Sequence, residues 1–305
     1  MDDSSNNWFE QTSLKTRRNL LAWFRRSPYG PMSLVKSVAY HDIKRGTDSF
    51  QSVVSRSDTE AIYRANIGDQ ILLVKEIKSI NEEDAFHEEV QLLSRLHHRH
   101  LLALKGFSVG HRRLLLFEDE EFTCLKDHLN DPLKTPLNWN TRLRIAMGVA
   151  AALEYLFRFC DPPVCLVSVT STNIFLDESF TAKLSDFGCH ATSRNVLMGS
   201  ASKCAKDCSG QDCGSLTFQL GVVILELVTG QSSDKGRMDL VHWIRESHFR
   251  NSLDMMIDPD LGNNYNASEL RHLLAVARLC VKSGCKPKFT ILQVLGYMLK
   301  RGCYS

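Results

Sequence analysis

Two oxygen-bearing side chains, Asn173 and Asp186, stand thirteen residues apart in the sequence. Asp186 opens the turn-like segment Asp186–Gly188, directly after the strand-like residues 182–184. Carboxylate and amide oxygens are hard ligands of the kind that Mg²⁺ prefers. The sequence therefore predicts that Asn173 and Asp186 together can hold a magnesium ion.

A lysine on a predicted strand, Lys75, is the candidate partner for an anion. Lysines on strands usually face solvent, but Glu89 changes that expectation. Glu89 lies on the same helical stripe as Phe86 and Leu93, so its carboxylate can point toward the sheet. We predict a buried Lys75–Glu89 ion pair.

The elements that must position these residues fall into two groups. Residues 50–118 are rich in strand patterns around one helix, with a hairpin signal at Gly68-Asp69. After the acidic residues 118–121 the pattern becomes helical. We predict strands at 62–65, 71–77, 102–107 and 112–118, and helices at 82–97, 122–130, 140–158, 216–229, 237–248, 267–282 and 288–300. This order predicts an α+β protein with two lobes and a cleft between them.

Composition excludes several classes of protein. The chain has 305 residues, 43% hydrophobic and 24% charged, as in ordinary globular proteins. Its net charge of +2 argues against a nucleic-acid partner. Apolar runs fall short of the ~18 residues that a bilayer span needs, and the N-terminus lacks a signal-peptide pattern. We therefore expect a cytoplasmic chain with reduced cysteines.

The N-terminal residues form a basic arm around Trp23 and Phe24. Each basic residue near an anionic membrane contributes roughly 1 kcal/mol, so the arm can bind the inner face of the plasma membrane. The alternative is a solvated, disordered arm. The basic residues are Lys15, Arg17, Arg18, Arg25 and Arg26, and the predicted domains are an arm at 1–49, an N-lobe at 50–118 and a C-lobe at 119–305.

Several segments resemble the cytoplasmic kinase domain of plant receptor-like kinases. The resemblance runs from Tyr40 to Leu299 and implies the bilobal protein-kinase fold. The segments that carry it are Phe86–Val90, Leu96–Leu101, Trp139–Ala146, Asn173–Asp177 and Gly221–Gly230.

The resemblance assigns roles to the candidate residues. Lys75, held by Glu89, would bind the phosphates of ATP, and Asn173 and Asp186 would hold Mg²⁺. The catalytic loop of the family reads His-Arg-Asp, four residues, then Asn. Counting back from Asn173 places Ser168 at the catalytic Asp position. Serine is a very poor base, and general-base assistance is worth about 10²–10⁴-fold, so we expect no catalytic residue.

Nucleotide binding is also expected to be weak or lost. Ser55, Ser57 and Glu60 occupy the positions of the three glycines in the family's phosphate-binding loop. Glycine lets the backbone approach a phosphate closely, whereas side chains obstruct it. The negative charge of Glu60 near a triphosphate would cost roughly one to several kcal/mol.

Further departures concern the partners of the catalytic loop. Thr170 replaces a lysine that the family uses near the transferred phosphate, and Leu216 replaces a buried helix Asp that ties down the loop. The activation segment, 189–214, lacks the usual anchor motifs, and Lys286 replaces the arginine that pairs with one of them. Joint loss of both members of a buried ion pair preserves the fold.

A cluster of cysteines lies in the same segment, with Cys204, Cys208 and Cys213 downstream of His190. Soft ligands of this kind can bind Zn²⁺, although structural zinc sites usually have closer spacing. A redox sensor and a loop of unbonded thiols remain as alternatives.

These observations predict a catalytically impaired receptor-like pseudokinase that acts as a signalling scaffold for other protein kinases or signalling proteins. ATP and Mg²⁺ are its expected cofactors, with affinity weak or lost. Three alternatives stay open: a slow Ser/Thr kinase using Mg-ATP, a nucleotide-gated switch, and a membrane-tethered adaptor that uses the basic arm.

Overall fold

The computed structural model describes residues 35–56, 60–78, 83–160, 164, 166–188, 211–231, 240–246, 253–283 and 291–302. The predicted basic residues of the arm, Ser57, His190, Cys204, Cys208 and Lys286 lie outside this part of the chain. Among the described residues, no helix is both long and apolar enough to cross a bilayer.

The N-lobe is built on a six-stranded sheet with two helices. Its strands are β1 (Lys36–Ser37), β2 (Val53–Arg56), β3 (Glu60–Ile67), β4 (Gln70–Ile77), β5 (Leu104–Ser108) and β6 (Leu114–Glu118), and its helices are α1 (Tyr40–Gly46) and α2 (Glu83–Arg95). The strand order is β1-β5-β6-β4-β3-β2, antiparallel except for the parallel pair of β1 and β5. The predicted hairpin is confirmed, and its Gly68 adopts φ +64°, a conformation that glycine accepts readily.

The two faces of this sheet belong to different cores because successive side chains on a strand point to opposite sides. Leu72 and Val74 pack with Ile43 of α1, whereas Leu73 packs with Phe86 of α2. The segment that contains β1 and α1 therefore belongs to the N-lobe core. The last residues of the arm that was predicted at 1–49 are thus part of the N-lobe.

The C-lobe is mainly helical, as predicted, with five short strands near the cleft. The described residues include a short helix that was not predicted, Leu253–Met256. Residues 240–245 are helical and lie within the helix predicted at 237–248. The strands are β7 (Thr123–Cys124), β8 (Leu166–Val167), β9 (Ile174–Leu176), β10 (Ala182–Leu184) and β11 (Phe187–Gly188). The helices are α3 (Leu125–Asn130), α4 (Trp139–Glu154, continued by the π-helix Tyr155–Phe159), α5 (Gln211–Thr229), α6 (Leu253–Met256), α7 (Ala267–Ser283) and α8 (Ile291–Gly302).

A buried arginine organises the centre of the C-lobe. Arg142 of α4 is 2% exposed, and its guanidinium donates to Asp258 Oδ2 at 2.5 Å. The same group donates to the carbonyl oxygens of Leu137 at 2.7 Å and Leu227 at 3.0 Å. A buried charge persists only when it is paired and hydrogen-bonded, and Arg142 meets both conditions. It therefore joins α4, the end of α5 and the segment after α6.

Strand β10 is attached to the N-lobe by hydrogen bonds. The N–H of Leu102 donates to the carbonyl of Leu184 at 3.1 Å, and the N–H of Leu184 donates to that of His100 at 2.9 Å. His100 Nδ1 donates to the carbonyl of Ala182 at 2.8 Å. Burial is the main cause that lowers the pKa of His100, which keeps its ring neutral. Because Asp186 follows β10, these bonds place its carboxylate relative to the N-lobe.

We predict that Gly148→Ala destabilises the protein by about 1–3 kcal/mol, because it overpacks a filled site. A Cβ at Gly148 would lie 2.8 Å from Cε1 and Nδ1 of His100. Denaturant unfolding measures the effect. The control is Gly296→Ala in α8, where a Cβ meets nothing within 4 Å. Equal stabilities of the two variants would contradict the prediction.

Candidate functional site

Three of the residues predicted from the sequence meet in the cleft. Lys75 Nζ lies 3.1 Å from Asp186 Oδ1, and Asn173 Nδ2 lies 3.3 Å from Asp186 Oδ2. The side chains of Lys75 and Asp186 are 8% and 23% exposed. Both oxygens of the Asp186 carboxylate therefore accept hydrogen bonds from side-chain nitrogens of this chain.

Ser168 lies beside this group, at the position where the resemblance expects the catalytic Asp. Asn173 Nδ2 donates to Ser168 Oγ at 3.1 Å, and the backbone N–H of Ser168 donates to the carbonyl of Asp186 at 3.0 Å. Within the described residues, Asp186 is the only carboxylate that is hydrogen-bonded to Asn173 or Ser168, and Lys75 already binds this carboxylate. A neutral hydroxyl therefore occupies the position of the base.

Glu89 is almost completely buried on α2, at 1% exposure, and Lys75 is 6% exposed. The ion pair between them stays a prediction, as does a role for either residue in nucleotide binding. The structure also places Lys75 Nζ 3.1 Å from Asp186 Oδ1.

The catalytic loop keeps a tie to α5 that sequence analysis missed. Leu216, at the position of the family's helix Asp, is apolar and 3% exposed. One turn later, Gln219 Oε1 accepts a hydrogen bond from the N–H of Val169 at 2.8 Å. Residues three apart share a helix face, so Gln219 was a detectable candidate. The loop is therefore tied to α5 through Gln219 instead of residue 216.

The loop is also held by its own residues. The carbonyl oxygen of Asn173 accepts from the N–H of Ser185 at 2.9 Å and from the Ser185 hydroxyl at 3.0 Å. Thr170 Oγ1 lies 2.7 Å from Thr172 Oγ1. Neutral hydrogen bonds thus fix the loop where the family uses charged side chains.

Asn173 and Asp186 fit Mg²⁺ in ligand type, since each carries an oxygen and the two side chains touch. To hold the ion, Asn173 would turn its amide oxygen toward the Asp186 carboxylate, which would supply the second ligand. When bound, magnesium neutralises charge on phosphate oxygens. The metal site stays a prediction. Across the described ranges, three or more His, Cys, Asp or Glu side chains nowhere form a metal-binding group.

The part of the sheet next to Lys75 carries bulky side chains that sequence analysis also missed. The register places Leu73 opposite Arg64 on β3 and opposite Phe117 on β6. Directly opposite residues share a face, and Leu73 stands two residues before Lys75, so all four side chains lie on the cleft face. Leu73 and Phe117 are 2% and 4% exposed. Counting by two from Lys75 could have identified Leu73.

The positions of the missing glycines are only partly described. The backbone of Ser55 lies in β2, and that of Glu60 begins β3. Ser57 lies outside the described residues. Their expected effect on nucleotide affinity stays a prediction.

Two adjacent carboxylates, Glu118 and Asp119, attach the linker between the lobes, residues 118–122, to both lobes. Glu118 accepts from Lys183 Nζ at 2.7 Å and lies 3.2 Å from Lys105 Nζ. Asp119 Oδ2 accepts from Arg64 Nε at 2.6 Å. Burial alone would raise the pKa of Glu118, but the hydrogen bonds and charge of Lys183, with further help from Lys105, hold that pKa below its usual value.

Comparison with known proteins identifies the class of protein. The family model described as protein tyrosine and serine/threonine kinase matches residues 46–207. The chain is 32% identical to the probable receptor-like protein kinase At1g49730 of Arabidopsis thaliana, over 97% of this chain and 47% of that protein. It is 31% identical to the probable serine/threonine-protein kinase PBL7 of Arabidopsis thaliana, over 92% of this chain and 82% of that protein. The chain belongs to the protein kinase family, and its homologues are plant receptor-like kinases.

Solved structures confirm the bilobal kinase fold. The pseudokinase domain of BIR2, described as an immune regulator of the RLK/Pelle family, superposes with a TM-score of 0.71 at 24% identity, covering 88% of this chain and 86% of that one. The apo pseudokinase GRMZM2G135359 gives 0.68 at 22% identity, covering 89% and 95%. The chain spans about half the length of the receptor-like kinase At1g49730.

We predict that Lys75 and Asp186 are energetically coupled. Asp186→Asn should lower the free energy of unfolding, because it removes the negative charge that faces the buried ammonium of Lys75 at 3.1 Å. In a cycle with Lys75→Met, the coupling should be about 1–3 kcal/mol by denaturant unfolding. The exposed Arg45–Asp42 pair of α1 serves as control and should give no more than about 0.5 kcal/mol. Additive effects of the two cleft substitutions would refute the coupling.

A second prediction concerns acid stability. Because the pKa of Glu118 is lowered in the folded protein, its contribution is present above its unfolded pKa and disappears as the pH falls through the folded value. Glu118→Gln should therefore be less stable than wild type at pH 7, and this gap should close below about pH 4.5. Unfolding midpoints across this range measure the gap. Glu154→Gln, which breaks a pair within one helical segment, is the control and should show little gap. A Glu118 gap that persists unchanged into acid would contradict the assignment.

Proposed function

We propose that this chain is a catalytically impaired pseudokinase that acts as a signalling scaffold. The observation that carries the proposal is Ser168, a hydrogen-bonded hydroxyl at the position where phosphoryl transfer needs a carboxylate. An Asp carboxylate has a reference pKa near ~3.9 and is ionised at neutral pH, so it can accept a proton from the substrate hydroxyl. A serine hydroxyl is too weak a base to accept this proton.

The electrostatics of the cleft support a role that does not require turnover. Lys75 and Asp186 neutralise each other at 3.1 Å, and Asn173 satisfies the second carboxylate oxygen. The charged groups that a kinase directs at phosphate and metal are thus already compensated within the chain. A scaffold needs a stable shape, and a compensated cleft supplies it without a ligand.

The partners that we propose are other protein kinases or signalling proteins, bound mainly through the helical C-lobe. We place the domain in the cytoplasm, with the basic residues of the N-terminal arm available for an anionic membrane surface. ATP and Mg²⁺ binding is proposed to be weak, because Asp186 competes with a phosphate for Lys75 and side chains stand at the positions of the family's phosphate-loop glycines.

A slow Ser/Thr kinase is the second candidate. The observation in its favour is that Lys75, Asn173 and Asp186 converge around one carboxylate, within 3.3 Å. Positioning and charge neutralisation supply most of the catalysis of phosphoryl transfer, so a kinase without its base can retain slow turnover.

Phosphotransfer from Mg-ATP to a generic protein substrate decides between the two candidates. We expect the wild-type protein and Asp186→Asn to give the same signal, because neither has a base at residue 168. Asp186→Asn serves as the control because it also removes the proposed metal ligand. Circular dichroism and melting must first show that the variant is folded. Wild-type turnover that Asp186→Asn abolishes would refute the scaffold proposal and establish the kinase.

A further inference from the structure

We infer that Arg64 restricts entry of a nucleotide into the cleft, because it clasps the N-lobe sheet to the interlobe linker through Asp119. This inference rests on the proposed function, in which nucleotide binding is weak, and it names the residue that weakens it. The pair of Arg64 and Asp119 is called the linker clasp below.

The position of Arg64 follows from the strand register. Arg64 is directly opposite Leu73, on the face of the sheet that carries Lys75. The pairing of Leu72 with Glu118 shows that this end of β4 adjoins the linker. Leu73 and Arg64 lie between Lys75 and the linker on this face, so a nucleotide with its phosphates at Lys75 would extend its base toward the linker. That path runs along Leu73 and Arg64.

The linker clasp is well formed. The Arg64 guanidinium donates to Asp119 Oδ2 at 2.6 Å and to the carbonyl of Phe122 at 3.1 Å. The other carboxylate oxygen of Asp119 accepts the N–H of Phe122 at 3.0 Å. The Asp119 side chain is 0% exposed, so solvent and salt screen this charge pair less than a surface pair. Arg64 thus holds two points of the linker at once.

Opening the linker clasp has an energetic cost that a nucleotide must overcome. A base inserted between sheet and linker displaces the guanidinium and leaves the buried carboxylate of Asp119 without its counter-charge. The apparent affinity then equals the affinity of the open form multiplied by the fraction of molecules in which the clasp is open. Removing Arg64 should remove this restriction.

The other face of the same sheet offers a matched control. Arg112 binds Glu76 at 3.1 Å, and Glu76 alternates with Lys75 on β4, so this pair faces away from the cleft. The two arginine side chains are similarly exposed, at 36% for Arg112 and 39% for Arg64. A general effect of losing an arginine ion pair from the N-lobe would appear in both variants.

The experiment titrates the full chain with a fluorescent ATP analogue in the presence of Mg²⁺, followed by displacement with unlabelled ATP. Arg64→Ala and Asp119→Asn should each bind at least about fivefold more tightly than wild type, because the clasp no longer needs to open. Arg112→Ala should match wild type. Asp119→Asn keeps the oxygen that accepts from Phe122, so it decides the question if Arg64→Ala fails to fold.

Each outcome has a defined meaning. If folded Arg64→Ala and Asp119→Asn bind no better than Arg112→Ala, or if no variant binds at millimolar concentration, the linker clasp does not restrict entry and the inference is overturned. Micromolar binding by the wild type would contradict the weak binding of the proposed function. Even then, the comparison of Arg64→Ala with Arg112→Ala would decide the role of Arg64.

Discussion

The Lys75–Asp186 ion pair is the interaction on which the cleft depends. Lys75 belongs to the N-lobe sheet, and Asp186 follows a C-lobe strand that is itself hydrogen-bonded to the N-lobe. In phosphoryl transfer the lysine needs a phosphate and the carboxylate needs a metal. Here the two charges face each other at 3.1 Å. Losing only one of them would remove the opposite charge that the other faces, which is a physical reason for keeping both.

The loop that carries Ser168 is held by hydrogen bonds of neutral side chains. Gln219 holds the amide of Val169, and Asn173 holds both Ser168 and Asp186. These are hydrogen bonds between neutral groups or to one carboxylate that is already neutralised, so none of them requires a bound ion. The fold of this loop and its chemistry therefore have different requirements. Backbone hydrogen bonds must be satisfied in any folded protein, whereas a base is needed only for turnover.

Periodicity predicted most of the fold because long amphipathic helices and the hairpin at Gly68 leave strong local signals. The two-residue β1 and the short α6 are too brief to produce a periodic pattern. Contacts between distant residues were harder to predict. The contact between Lys75 and Asp186 spans 111 positions, that of Arg64 with Asp119 spans 55, and that of Val169 with Gln219 spans 50. Sequence spacing identified the residue types at the site but could not choose among their partners.

The ties between the lobes also suit the scaffold role that we propose. Lys183 and Arg64 attach the linker to both lobes through Glu118 and Asp119, and backbone hydrogen bonds at Leu102 attach β10. In an active kinase, bound nucleotide and metal help to set the relation between the lobes, and lobe movement accompanies each turnover. Here side chains of the chain itself perform that task. A partner that recognises both lobes would then meet this one arrangement in the nucleotide-free protein, because the contacts that fix it are internal.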